Sequence, residues 1–241
     1  MDVCVVVPMY NEEKIVRRSV ETILSYVRRL PQGVILLVVD DGSDDRTGEI
    51  LQDLAKEAHG GRLHILSKEV NMGYGAALRT GVQFAAHNNY EYVLFMDCDL
   101  TNHPRYIARF YHKMKESWDY IKATRYSDGG GMEGVPWIRR LNSVLGNVIA
   151  RFLCRLPLTD VTNGFRAVKV NILSQISTKE NGFAVIMEEL YRVRHLTDSF
   201  CEIPYILTAR SKGEGGTHFS YTPRMYLQYL YYAFRCFFSC R

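Results

Sequence analysis

The stretch Tyr92-Val93-Leu94-Phe95-Met96-Asp97-Cys98-Asp99-Leu100 decides how the rest of the chain is read. Residues 92–96 form a short apolar run of the kind that fills a strand buried on both faces. The run ends in two carboxylates at positions i and i+2. Unpaired acids at the end of a buried strand are costly and call for a cation or for hydrogen-bond donors. Mg²⁺ and Mn²⁺ favour carboxylates combined with phosphate oxygens of a substrate, so Asp97 and Asp99 predict a metal–diphosphate site.

Working outward, residues 3–7, 34–39, 63–66 and 120–124 also read as strands. Between them lie stretches of helical period. Residues 14–30 place Ile15, Val16, Val20, Ile23, Leu24 and Val27 on one face, and residues 47–58 do the same with Ile50, Leu51, Leu54 and Ala55. Residues 75–87 and 104–117 complete the set, the last with Pro104 in its first turn. This alternation predicts right-handed βαβ units, and hence a mostly parallel sheet with helices on both faces. Ligands of such sheets bind at the carboxyl ends of the strands. After Thr124 the pattern changes to a Gly-rich loop at 126–135 and a long helix at 137–155. No linker, repeat or low-complexity tract interrupts the chain. We expect one α/β domain over 1–216, followed by an aromatic and basic segment, 217–241.

The chain has 241 residues, 47% hydrophobic and 23% charged. At ~150 residues per domain this is little more than one domain, and the composition excludes a disordered chain, a collagen or a coiled coil. A net charge of +4 gives no indication of nucleic acid. The N-terminus enters a strand at once, without a signal peptide. The six cysteines are scattered, and Cys236-x-x-x-Cys240 lacks further zinc ligands. Reduced thiols and a cytoplasmic location are expected. No stretch reaches the ~18 apolar residues of a membrane span. The aromatic end of the chain comes nearest and is interrupted by Arg224, Gln228 and Arg235.

The other strand ends are polar too. Pro8-Met9-Tyr10-Asn11-Glu12-Glu13 follows the first, where Asn11 also suits a plain helix cap. Asp40-Asp41-Gly42-Ser43-Asp44-Asp45 follows the second; Ser43, Asp44 or Asp45 suits a helix cap, which leaves Asp40 and Asp41 to accept hydrogen bonds from a base or a ribose. Asn71-Met72-Gly73-Tyr74-Gly75 opens a helix with glycines that permit close backbone approach, and it is neither a Walker A loop nor a full dinucleotide fingerprint.

In this order, these motifs and Asp97-x-Asp99 resemble those of family 2 glycosyltransferases with the GT-A fold. Thr124-Arg125-Tyr126, Asn142 with Asn147, Asp160-Val-Thr-Asn-Gly-Phe-Arg166, Gly182-Phe-Ala184 with Glu188, and Glu202-Ile-Pro204 resemble the dolichol-phosphate mannose synthase branch, and Arg210 with Gly213-Glu214 continues the match. The resemblance covers about residues 3–216. It implies a nucleotide-sugar donor, usually GDP-mannose, and a polyprenyl-phosphate acceptor. By position, Pro8, Tyr10, Asn11, Glu12, Asp40 or Asp41, Asn71, Gly73 and Asp97 would hold the donor nucleotide. Asp97 and Asp99 would engage Mg²⁺ or Mn²⁺ and the diphosphate. Arg125, Arg139 and Arg210 match basic residues near the acceptor phosphate or a closing loop. Three positions depart from the branch: Thr101 stands where Gln is common, Asn163 replaces a Ser, and Ile186 replaces a polar residue.

The implied chemistry is coherent. A phosphate monoester, with a second pKa of about 6, is mostly ionised at pH 7 and needs no strong base. It needs positive charge to hold two anions together, which suits arginine. In-line displacement with inversion follows. A hydroxyl acceptor would require a base, for which Glu188 is the candidate; otherwise Glu188 is a solvated helix residue or the partner of an arginine. The alternatives are a UDP-sugar-dependent enzyme of the same fold, a nucleotidyltransferase releasing pyrophosphate, and a non-catalytic nucleotide-sugar sensor. Residues 209–216 suit a lid or a connector. Aromatics flanked by arginines in the C-terminal segment suit peripheral membrane contact or docking to a membrane-anchoring subunit, against the alternative of a helix packed on the domain.

Overall fold

A computed structural model describes residues 1–57, 60–210 and 222–239. The first half alternates as expected: β1 (Val3–Met9), α1 (Val16–Val27), β2 (Val34–Asp40), α2 (Thr47–Glu57), β3 (Leu63–Ser67), α3 (Tyr74–His87) and β4 (Tyr92–Phe95). A single 3-10 turn, Pro104–Tyr106, leads into α4 (Ile107–Lys115), and β5 (Tyr120–Thr124) follows. The second half holds β6 (Gly131–Glu133), α5 (Trp137–Cys154), β7 (Arg166–Lys169), α6 (Val170–Leu173), α7 (Val185–Val193), β8 (Phe200–Pro204), β9 (Ile206–Thr208) and α8 (Pro223–Phe238).

Seven strands form one sheet in the order β3-β2-β1-β4-β7-β5-β8. All neighbours are parallel except β7, which runs antiparallel to both β4 and β5. Helices cover both faces, so β1 and β2 are buried along their whole length. The strand period of two sorts them into two cores. Val3, Val5 and Val7 face α1 and α4, whereas Cys4 and Val6 face α3 and the helices of the second half. Gly81 permits the close contact of α3 with the sheet, since a Cβ there would lie 2.5 Å from Val6 Cγ1.

Two features depart from the sequence expectation. The Gly-rich loop contains β6, which pairs in parallel with β9 at the edge of the site; strands of three residues leave no periodic signal. The C-terminal helix packs on the domain. Tyr232, Ala233 and Cys236 of α8 share a core with residues of α3, α5 and α7. The expected boundary at 216/217 and the loop residues Lys212 to Gly216 lie outside the described residues.

Candidate active site

The carboxyl ends of β1, β2 and β4 and the start of α3 surround a cleft of about 290 Å³. It is lined by Pro8 near the end of β1, by Tyr10 and Glu12 after it, by Asp41 after β2, and by Asn71 and Gly73 before α3. Asp97 and Asp99 after β4 and Arg210 after β9 complete it. Nine of the expected residues therefore meet in one place.

The two aspartates after β2 divide the work. Asp40 turns away from the cleft, accepting from the Ser43 hydroxyl at 2.6 Å and the Ser43 N–H at 3.1 Å. Asp41 accepts from Lys68 Nζ at 2.8 Å and from the Gly73 N–H at 2.6 Å. Gly73 adopts φ +95°, and a Cβ there would lie 2.5 Å from the Asn181 carbonyl oxygen, so only glycine fits this crossing. Asn11 ties two loops together rather than capping α1: its N–H donates to Ser43 Oγ at 2.9 Å and its Oδ1 accepts from the Asp44 N–H at 3.0 Å. The α2 start is held by Asp45, whose Oδ1 accepts from the Thr47 N–H at 2.8 Å.

At the β4 end, Asp97 accepts from Asn102 Nδ2 at 2.9 Å and from the Tyr74 hydroxyl at 3.4 Å. Burial pushes the Asp97 carboxyl up to about 7, the charge of Asp99 adds to this, and the Tyr74 and Asn102 donors and Arg166 oppose it. Asp99 uses one oxygen, Oδ1, to accept from the Thr101 N–H at 3.1 Å and hydroxyl at 2.7 Å. Among the described residues no group of three or more His, Cys, Asp or Glu is placed to hold a metal ion. Two neighbouring carboxylates, one of them held back from ionising, fit a cation that takes its remaining ligands from phosphate oxygens and water.

Arg210 reaches across the cleft to Glu12, with Nη1 3.2 Å from Oε1 and Nη2 on Oε2. Burial alone would lower the Arg210 pKa; the Glu12 carboxylate outweighs it, so the guanidinium stays charged.

Besides Asp40 and Asn11, three more expected residues are not brought to the cleft. Arg139 is exposed in the first turn of α5. Arg125, only partly exposed, makes a bidentate pair with Asp160, at 2.7 and 2.9 Å, and also donates to Ser143 of α5 at 3.0 Å. Burial opposes its charge and Asp160 more than restores it. Glu188 is fully buried; it accepts from the N–H groups of Lys179 and Glu180 at 2.8 Å each and from Arg192 at 2.8 and 3.1 Å. Of the three readings given for it, a base, a solvated helix residue or the partner of an arginine, the structure shows the pair with Arg192.

Sequence reasoning missed a layer of buried cations behind the cleft. Lys122 donates to the Asn163 carbonyl at 2.7 Å and Arg166 to the Gly164 carbonyl at 2.8 Å. Together they fix the loop at Gly164, where a Cβ would lie 3.2 Å from the Tyr74 hydroxyl and 4.0 Å from Asp97 Oδ2. Burial, with Arg166 adding to it, lowers Lys122 to about 7. Phe183, stacked on Tyr74 with ring centroids 4.6 Å apart, and Asn181 close the cleft on the side of the second half. The signal for Phe183 was the Gly182-Phe-Ala184 motif, which carried no assigned role.

The profile of the family described as "Glycosyl transferase family 2" matches residues 4–177. The polyprenol monophosphomannose synthase of Mycolicibacterium smegmatis is 30% identical over 212 residues, which cover 87% of this chain and 78% of that protein. The undecaprenyl-phosphate mannosyltransferase of Micrococcus luteus is 28% identical over 217 residues, covering 89% and 86%. Among solved structures, glucosyl-3-phosphoglycerate synthase from Mycobacterium tuberculosis, in complex with Mn²⁺, UDP and glucosyl-3-phosphoglycerate, superposes with a TM-score of 0.66. That match has 22% identity and covers 98% of this chain and 80% of the other, a likeness of fold.

Proposed function

The chain belongs to glycosyl transferase family 2, a glycosyltransferase with the GT-A fold, and from that premise we propose that it moves mannose from GDP-mannose to a polyprenyl phosphate. The observation that carries this reading is the meeting of the Asp97/Asp99 pair with the β1 and β2 strand-end motifs in one cleft. The names of the two mannosyltransferase relatives support the acceptor and the sugar.

In this reading Pro8, Tyr10, Glu12 and Asp41 hold the nucleoside, and Asn71 and Gly73 offer polar and backbone contacts beside it. A divalent cation, Mg²⁺ or Mn²⁺, held by Asp97 and Asp99 would neutralise charge on the departing diphosphate. Arg210 leaves Glu12 to contact the donor diphosphate. An oxygen of the ionised acceptor phosphate attacks the anomeric carbon as the bond to the diphosphate oxygen breaks, with inversion. No proton is abstracted, so Glu188 is free to serve α7. Arg125 acts as a positioning residue, anchoring through Asp160 the loop that lies against Asp97.

A lipid acceptor places the reaction at the cytoplasmic face of a membrane, reached by the C-terminal segment or an anchoring subunit. No helix among the described residues is long and apolar enough to cross a membrane.

The test is transfer of radiolabelled sugar into organic-extractable lipid. Purified protein is given GDP-mannose, UDP-glucose or UDP-GlcNAc with Mg²⁺ or Mn²⁺ and a polyprenyl phosphate. Label from GDP-mannose alone, lost with EDTA and in Asp99→Ala, is expected. Label from a UDP-sugar would reassign the donor, and none from any donor would overturn the acceptor.

A further inference from the structure

The cleft wall supplied by the second half is a short segment outside any helix or strand. Asn181, Gly182 and Phe183 line the cleft, and Glu180 precedes them. The first two turns of α3 hold one side of this segment: Arg79 donates to the Glu180 carbonyl at 2.8 Å, and the Gly75 N–H donates to the Asn181 carbonyl at 2.7 Å. The C-terminal helix α8 holds the other. Gln228 Nε2 and the Tyr232 hydroxyl each donate to the Glu180 carboxylate at 3.0 Å, and the Tyr229 hydroxyl donates to the Phe183 carbonyl at 3.2 Å. At 3.6 residues per turn, positions 228, 229 and 232 share an arc about 100° wide. One side of α8 therefore directs three donors at one segment. Both the segment and α8 lie beyond residue 177, where the family profile ends.

Two routes lead from this segment to the acids of the cleft. Along the first, the Phe183 ring stacks on Tyr74 and the Tyr74 hydroxyl donates to Asp97 at 3.4 Å. Along the second, the Asn181 carbonyl lies against Gly73, and the Gly73 N–H donates to Asp41 at 2.6 Å. Rings, glycines and backbone make up both routes, and close-packed groups of this kind transmit a displacement rather than absorb it. Thus α8 is joined to both sides of the cleft, although no described residue of α8 lines it. Tyr232, Ala233 and Cys236 already attach the helix to the core by burial. Attachment alone does not require that its polar donors converge on the cleft wall.

We propose that Tyr229, with Gln228 and Tyr232, positions the donor site from outside it: Tyr229 sets Asp97 through Phe183 and Tyr74, while Gln228 and Tyr232 set Asp41 through Glu180, Asn181 and Gly73. The proposal rests on the reading of the cleft as the site of a nucleotide and a divalent cation. Such a cation asks for closely defined ligand geometry, Mg²⁺ most of all, so a small displacement of Asp97 weakens its hold. The hydroxyl of Tyr229 touches neither donor nor cation. Its part is to keep the wall at the place where Asp97 and Asp41 face the same ligand.

The test is calorimetric titration of the full chain with GDP and with UDP, each with Mn²⁺. Tyr229→Phe and Tyr232→Phe should each weaken binding of the preferred nucleotide by about threefold to tenfold, the value of one hydrogen bond. Tyr191→Phe is the control. Its hydroxyl accepts from Arg235 of α8 at 3.0 Å, a link between α7 and α8 that does not reach the cleft wall. It should lower the melting temperature about as much as Tyr229→Phe and leave the nucleotide Kd unchanged. A double-mutant cycle then tests the route: once Tyr74→Phe is in place, adding Tyr229→Phe should cost no further affinity. Wild-type affinity in both Tyr229→Phe and Tyr232→Phe would overturn the proposal. So would an equal loss in Tyr191→Phe, or full additivity in the cycle. Failure of the donor-site reading has a different signature: neither nucleotide binds the unaltered chain, and this proposal then falls with it.

Discussion

The two halves of the sheet handle charge in opposite ways. From β1 to β4 the strand interiors are apolar, and acids appear only where strands end, at Asp40, Asp41, Asp97 and Asp99. From β5 onward charged groups are buried within the structure: Lys122 and Arg166 on strands, Glu188 and Glu189 on α7, Asp160 in the loop before β7. Arg166 pairs with Glu189 in a fully buried fork at 2.6 Å and lies over the Phe95 ring at 4.4 Å. The first half keeps its charge at a rim where a ligand can use it. The second half spends its charge on internal pairs that fix the loop against Asp97. A charged residue near such a site is thus as often part of the mould as part of the chemistry.

Several substitutions test this division. Asp99→Ala at the rim should lower transfer by about 10³-fold, near 4 kcal/mol of transition-state stabilisation, with little change in thermal stability. Transfer kinetics beside a melting curve check both halves of that expectation. Glu189→Gln in the second half should reverse the pattern, costing about 3 kcal/mol of folding stability because it leaves the Arg166 charge buried without its partner; denaturant titration reads it. Glu188→Gln sharpens the comparison further. It should cost about 1–2 kcal/mol of stability yet leave the kcat for a phosphate acceptor within about twofold, since the Lys179 and Glu180 N–H groups lose a charged acceptor but no base is removed. Loss of turnover without loss of stability would return Glu188 to the chemistry.

A further test is a pH dependence. The Asp97 carboxyl lies at about 7 in the metal-free fold against an ordinary 3.8. Between those values the unfolded chain has released a proton that the folded protein still holds. The contribution of Asp97 to stability is therefore full below about 4 and is lost as the pH rises through about 7. Asp97→Asn should flatten this part of the stability–pH curve measured in EDTA.

How much of this was legible in the sequence follows from the range of each interaction. The alternation of residues 3–100 could be read because each strand and helix announces itself over a handful of neighbours. The polar strand ends could be read because acids after a buried run need an explanation within a few residues. The resemblance to family 2 supplied the order of the motifs. The choice of Asp41 over Asp40 for the cleft was left open, since it depends on Lys68 and Gly73 across the next crossover. Nor did the helical pattern of 137–155 say which way its apolar face points, for a buried and an exposed stripe have the same period.

The sequence by itself determined the alternation of elements in the first half, the strand-end acids and the family. The tertiary structure decided which charges reach the cleft, that β7 runs against its neighbours, that α8 joins the core and that α5 faces outward. The physical reason is distance along the chain. Periodicity and strand-end polarity are local, whereas Arg210 meets Glu12 across 198 residues and Arg125 meets Asp160 across 35. Such partners are chosen only when the sheet has brought its edges together.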